Sequence, residues 1–164
     1  MVAKRHPPIV KNLVCPDEAA TQALAQSLAA APGIAQAFIT LRSDLGAGKT
    51  MLVRHLLAAL GVSGRIKSPT YAVVEPHEAH TQQGLVPVFH FDFYRFNDPQ
   101  EWEDAGFRDI FAGPGLKLAE WPQQADGLLP TPDLDVHLQV SNDVRHITLS
   151  AHTELGERLL EACS

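Results

Sequence analysis

The residues best equipped for chemistry stand together in "LRSDLGAGKTMLVRHLLAAL", Leu41 to Leu60. Gly48-Lys49-Thr50 closes a glycine-containing loop and opens a helical pattern. Such a loop wraps backbone N–H groups around a phosphate at a helix N-terminus, where orphan donors and the helix dipole favour negative charge. Gly46 and Gly48 permit backbone shapes that a side chain would obstruct. Lys49 is spaced to reach between a β- and a γ-phosphate, and the Thr50 hydroxyl to bind Mg²⁺. The phosphate-loop pattern G-x-x-x-x-G-K-[ST] is met except at its first position, where Ser43 replaces glycine. Serine fits there provided its backbone stays at negative φ.

Binding a nucleotide is not hydrolysing it. Hydrolysis needs a carboxylate at a strand end to hold the metal and a group to orient water. Two acids qualify. Glu120 ends "LKLAE", where period-two alternation puts Leu116, Leu118 and Glu120 on one strand face. Asp92 lies in "FHFDFYR", where an aromatic strand runs out, and is the choice to position the attacking water. Thr70, in "KSPTYAVVE", offers a hydroxyl just before a strand, since Pro69 holds Ser68 extended. Such a threonine can sense a γ-phosphate as a switch.

These residues must be carried by strands and helices in the right order. "PIVKNLV" reads as a first strand, and Asp17 caps the helix "EAATQALAQSLAAA" that stops at Pro32-Gly33. "AQAFITL" is too short for a helix and suits a buried strand. The loop Arg42 to Gly48 and the helix Lys49 to Leu60, closed by Gly61, follow it. "YAVVEP" and "LVPVFHFDF" read as two strands able to pair across a turn of composition "HEAHTQQG". "DPQEWEDAG" starts a helix capped by Asp98 with Pro99 at its first position. "DLDVHLQV" and "RHITLSA" form a late hairpin about Ser141-Asn142-Asp143, and "TELGERLLEAC" a terminal helix. The fold expected is α/β: a three-layer P-loop NTPase-like domain over residues 1–164 with a mixed parallel and antiparallel central sheet.

Composition narrows the function. The chain has 164 residues, 45% hydrophobic and 20% charged, which is ordinary for one globular domain. Its net charge of −6 argues against a free-standing nucleic-acid binder, which needs a basic face. Cys15 and Cys163 lie near opposite ends and form no metal or disulfide framework. No apolar run approaches a membrane span, and the basic N-terminus is not followed by a signal-peptide core, so a cytoplasmic location is expected. His77 and His80 read as solvated residues of a polar turn. Asp133, Asp135 and His137 align on one strand face and read as the polar outer face of an amphipathic strand. "EWEDAGFRD" reads as an amphipathic helix whose Trp102 and Phe107 could serve a partner surface.

With the loop, "KSPTY", "HFDFYR" and "LAEWPQQADGLLP" in this order, the chain resembles the TsaE family, from about "CPDEAAT" to the terminal helix. The resemblance implies a small P-loop ATPase, weak alone, that acts on tRNA threonylcarbamoyl-adenosine synthesis. It would dock on the threonylcarbamoyltransferase TsaD and its paralogue TsaB, and meet tRNA only through that complex. It also implies ATP and Mg²⁺ as cofactors. Asp44, Leu45, Gly46, Ala47, Gly48, Lys49 and Thr50 would wrap the phosphates, and Thr50 and Glu120 would hold Mg²⁺. Lys49, Asp92 and Glu120 would be catalytic, Thr70 would contribute to hydrolysis or its coupling, and Trp121 would lie beside the nucleotide. The family usually has glycine at the positions of Ser43 and His55, and threonine at that of Met51. Two rivals stand: a small-molecule kinase, disfavoured by few downstream arginines and no lid-length insertion, and a degenerate docking module in which Ser43 has spoiled the loop.

Overall fold

The computed structural model describes residues 8–43, 49–62, 73–81, 84–104 and 106–163. Seven strands form one sheet: β1 (Ile9–Cys15), β2 (Phe38–Ser43), β3 (Val74–Thr81), β4 (Gly84–Asp92), β5 (Leu116–Glu120), β6 (Leu134–Ser141) and β7 (Val144–Ala151). Their spatial order is β1-β7-β6-β2-β5-β4-β3. The centre, β6-β2-β5-β4, is parallel throughout. Antiparallel β7 and β1 extend one side, and antiparallel β3 extends the other. The mixed sheet expected from the sequence is the one observed.

Among the described residues there are five α-helices: α1 (Glu18–Ala29), α2 (Lys49–Ala59), α3 (Pro99–Asp104), α4 (Phe107–Ala112) and α5 (Glu154–Ala162). The two sheet faces bury different residues. On one, Leu24 and Leu28 of α1, Leu52, Leu56 and Leu57 of α2 and Leu159 of α5 pack with Ile39, Leu41, Leu116, Leu118, Leu134, Val136 and Leu149. On the other, Phe38, Phe91 and Phe93 pack with Trp102 of α3 and Phe107 of α4. Sheet between two helical layers gives the three layers.

Local chemistry explains the element ends. The Asp17 carboxylate accepts from Ala20 N–H and opens α1, and Thr153 does the same for α5 through Gly156 N–H. The Asp98 carboxylate accepts from Gln100 N–H ahead of α3. Asn142 and Asp143 both take positive φ, as a two-residue hairpin turn between β6 and β7 requires. Gly61 ends the α2 turn at φ +78°, and a Cβ there would stand 2.7 Å from the His80 carbonyl oxygen, so glycine seats α2 against β3.

Four expectations need correcting. "HEAHT" is strand, not turn: β3 runs through Thr81 in pairing with β4, its inward positions filled by half-buried His77 and buried Ala79. Small or polar inward residues hid the alternation. Trp102 and Phe107 face no partner, because each is only 3% exposed and sits in the aromatic core. Between them Gly106 takes a left-handed φ of 69°, which breaks the single expected helix into α3 and α4. Asp135 does not lie on a solvated outer face; it is buried.

Candidate functional site

In a parallel sheet, ligand sites gather at the carboxyl ends of the strands. Here those ends bring together two of the acids singled out from sequence, Glu120 and Asp92. Leu41 of β2 lies opposite Glu120 of β5, and Glu120 lies opposite Asp92 of β4. Glu120 shares its strand face with Leu116 and Leu118, which pack in the same cluster as Leu52 and Leu56 of α2. Its carboxylate therefore points to the face on which α2 lies. α2 begins at Lys49, with five residues between it and the end of β2 at Ser43. The end of β2 and the start of α2 thus belong to the same side of the sheet as the acid.

Ser43 is the last residue of β2, is buried, and is not among the residues with positive φ. The condition under which serine can replace the first loop glycine is met. Asp44, Leu45, Gly46, Ala47, Gly48 and Thr70 lie outside the described residues, as do the side chains of Lys49 and Thr50.

Glu120 is 3% exposed, an unusual place for a carboxylate. Its Oε2 accepts a hydrogen bond from His90 Nε2 at 2.6 Å. Sequence reasoning did not single out His90, although it lies two residues before Asp92 and so shares its strand face. Asp92 is half-buried, its Oδ1 accepts from Tyr94 N–H at 3.0 Å, and its own N–H donates to the Val73 carbonyl at 2.8 Å. The second of those bonds fixes Val73 beside the carboxyl end of β4.

Trp121 follows Glu120 at φ 56°, a left-handed conformation that a bulky residue rarely adopts. The chain turns sharply there into a short 3₁₀ segment, Pro122–Ala125. The indole packs 4.9 Å from the Tyr94 ring, centroid to centroid. Trp121 and Tyr94 so frame the edge from which Asp92 and Glu120 project.

Other ionisable groups have structural explanations. Asp135 accepts from Thr40 Oγ1 at 2.6 Å and from Arg42 Nε at 3.1 Å and Nη2 at 2.6 Å, on the opposite sheet face. A cleft of about 480 Å³ opens over this pair, edged by Gln123, Asp126 and His152. Lys117 Nζ donates to the Gly113 carbonyl, and burial lowers its pKa. Burial pushes the Cys15 thiol up, and the Cys163 thiol up to about 11, so neither is a ready nucleophile.

Among the described residues no cluster of three or more His, Cys, Asp or Glu could hold a metal by itself. A hard cation bound at Glu120 would need further oxygens from a phosphate and from the loop. Mg²⁺ characteristically binds in that way, through one or two carboxylates plus substrate phosphates. The donor set fits it.

A mixed α/β sheet with a glycine loop entering a helix, and a buried acid on the adjacent strand tip, has the layout of the P-loop nucleotide-binding class. The comparisons identify the family. The description "Threonylcarbamoyl adenosine biosynthesis protein TsaE" matches residues 15–147, and the chain belongs to the TsaE family. It is similar to the tRNA threonylcarbamoyladenosine biosynthesis protein TsaE of Haemophilus influenzae, 40% identical over 126 residues, covering 77% of each chain. It is 34% identical to the Bacillus subtilis protein of the same name over 127 residues, again 77% of each. Its fold resembles the crystal structure of Bacillus subtilis YdiB, with a TM-score of 0.73, 27% identity and 96% of each chain covered. Among the described residues no helix is long and apolar enough to cross a membrane.

Proposed function

We propose that this protein binds and hydrolyses Mg²⁺-ATP in support of threonylcarbamoyl-adenosine formation on tRNA, docked on the transferase TsaD and its paralogue TsaB. The observation that carries the reading is the buried Glu120 carboxylate, facing α2 on the strand next to the one that leads into the loop. Family membership supplies the pathway, and a net charge of −6 fits a subunit that leaves RNA contact to its partners.

Each residue has a defined task. The first N–H groups of α2, together with those of Asp44 to Gly48, would receive phosphate oxygens, since helix starts leave such donors unpaired. Lys49 would add positive charge where negative charge develops in the transition state. Thr50 and Glu120 would hold Mg²⁺, which when bound neutralises charge on the β- and γ-phosphate oxygens. Asp92, opposite Glu120 in register, would orient water, and Thr70 would report on the γ-phosphate. Trp121 would cover the nucleotide side of the edge.

The test is ATP turnover by the full chain, alone and with the TsaD–TsaB pair, beside Lys49→Ala. Turnover should rise with the pair and fall at least roughly 100-fold in the variant, the scale on which removing a transition-state donor acts. Equal rates for wild type and Lys49→Ala with the pair present would refute the reading and leave a docking module.

A further inference from the structure

We propose that His90 is the positioning residue for Glu120, a role that rests on reading Glu120 as the metal-holding acid. His90 is in β4 and Glu120 in β5, yet the two side chains meet at 2.6 Å with only 1% and 4% of their surfaces exposed. A carboxylate only accepts, so the proton between them sits on His90 Nε2. The other ring nitrogen, Nδ1, is buried and has no hydrogen-bond partner among the described residues. A buried histidine kept for structure alone normally satisfies both nitrogens. This ring spends its single polar contact on the acid.

Geometry explains what that contact does. Glu120 has rotatable bonds and ends a strand, where the backbone turns at once into the left-handed Trp121. Without a fixed donor its carboxylate could swing among rotamers. The imidazole, held between strands in the interior, takes one lone-pair position on Oε2 and leaves the remaining acceptor positions of the carboxylate for a cation. Outer-shell partners of this kind typically change metal affinity about 10–100-fold when removed. His90 also shares its strand face with Asp92, so the same β4 backbone places both the acid that would orient water and the donor that orients the metal acid.

The experiment measures Mn²⁺ affinity of the ADP-loaded full-length protein by electron paramagnetic resonance, and metal-free binding of a fluorescent ATP analogue in EDTA. The proteins are wild type, His90→Phe, His90→Gln and Glu120→Gln. We expect His90→Phe to weaken Mn²⁺ about 10–100-fold with metal-free binding unchanged, and His90→Gln, which retains an N–H donor, to recover part of the loss. Should His90→Phe not fold, His90→Gln against the shorter His90→Asn decides, with Asn expected to be the weaker metal binder. Wild-type Mn²⁺ affinity in the His90 variants while Glu120→Gln is impaired would overturn the positioning role. So would a parallel fall in metal-free binding. Wild-type Mn²⁺ affinity in Glu120→Gln would instead overturn the reading of Glu120, and the role of His90 with it.

Discussion

Two buried carboxylates flank β2, one on each sheet face, and they are not alike. Asp135 takes three donor bonds, two of them from a guanidinium gripping both oxygens, and Thr40 closes the set. Among the described residues Glu120 takes one side-chain bond, from His90. Both acids are nearly inaccessible, at 6% and 3% exposed. Burying a charge is costly unless it is paired, and Asp135 meets that cost in full within the fold. Glu120 meets it only in part. A saturated buried acid belongs to the architecture, whereas one with acceptor capacity left over, at a strand tip facing a phosphate-loop helix, is poised for something that arrives. The aromatic cluster follows the first logic: Phe91, Phe93, Trp102 and Phe107 pack ring against ring and are buried.

The contrast can be broken from the structural side first. Arg42→Leu strands the Asp135 carboxylate with Thr40 alone and should cost about 2–4 kcal/mol of unfolding free energy. Arg42 is half-exposed, which keeps the figure below the upper range for buried pairs. Denaturant titration of the purified variant measures it. A loss under about 0.5 kcal/mol would make the pair a surface contact and dissolve the contrast.

A smaller effect concerns pH. His77 lies on the Glu120 face of β3, and burial, then the charge of His90, lower its pKa from 6.5 while Glu75 opposes them. The folded state therefore favours neutral His77, while the unfolded chain takes up a proton near pH 6.5. Stability from this residue is fully present above that pH, declines as pH falls through it, and levels off below the lowered folded value. Melting temperatures between neutral and mildly acid pH should fall slightly more for wild type than for His77→Phe. Parallel curves would remove His77 from the account.

Much of the fold was legible because its signals are local. Asp17 and Thr153 cap helices within three residues, and Asn142-Asp143 builds a two-residue turn. The places of Asp92 and Glu120 at the ends of β4 and β5 were legible for the same reason, since strand parity needs no partner. What escaped depends on distance along the chain. Arg42 and Asp135 are 93 residues apart and His90 and Glu120 30, so no window of sequence shows that either acid has a partner. The second half of β3 escaped because its inward side is carried by His77 and Ala79, which local hydropathy reads as a turn.

The most direct test sets the two acids side by side: ATP turnover on the TsaD–TsaB pair by Glu120→Gln and by Asp135→Asn, each expressed per folded molecule. Glu120→Gln should lose at least roughly 100-fold, as befits a group that acts on developing charge, while Asp135→Asn retains turnover near wild type despite lower stability. Turnover near wild type in Glu120→Gln, or an equal loss in both variants, would contradict the account.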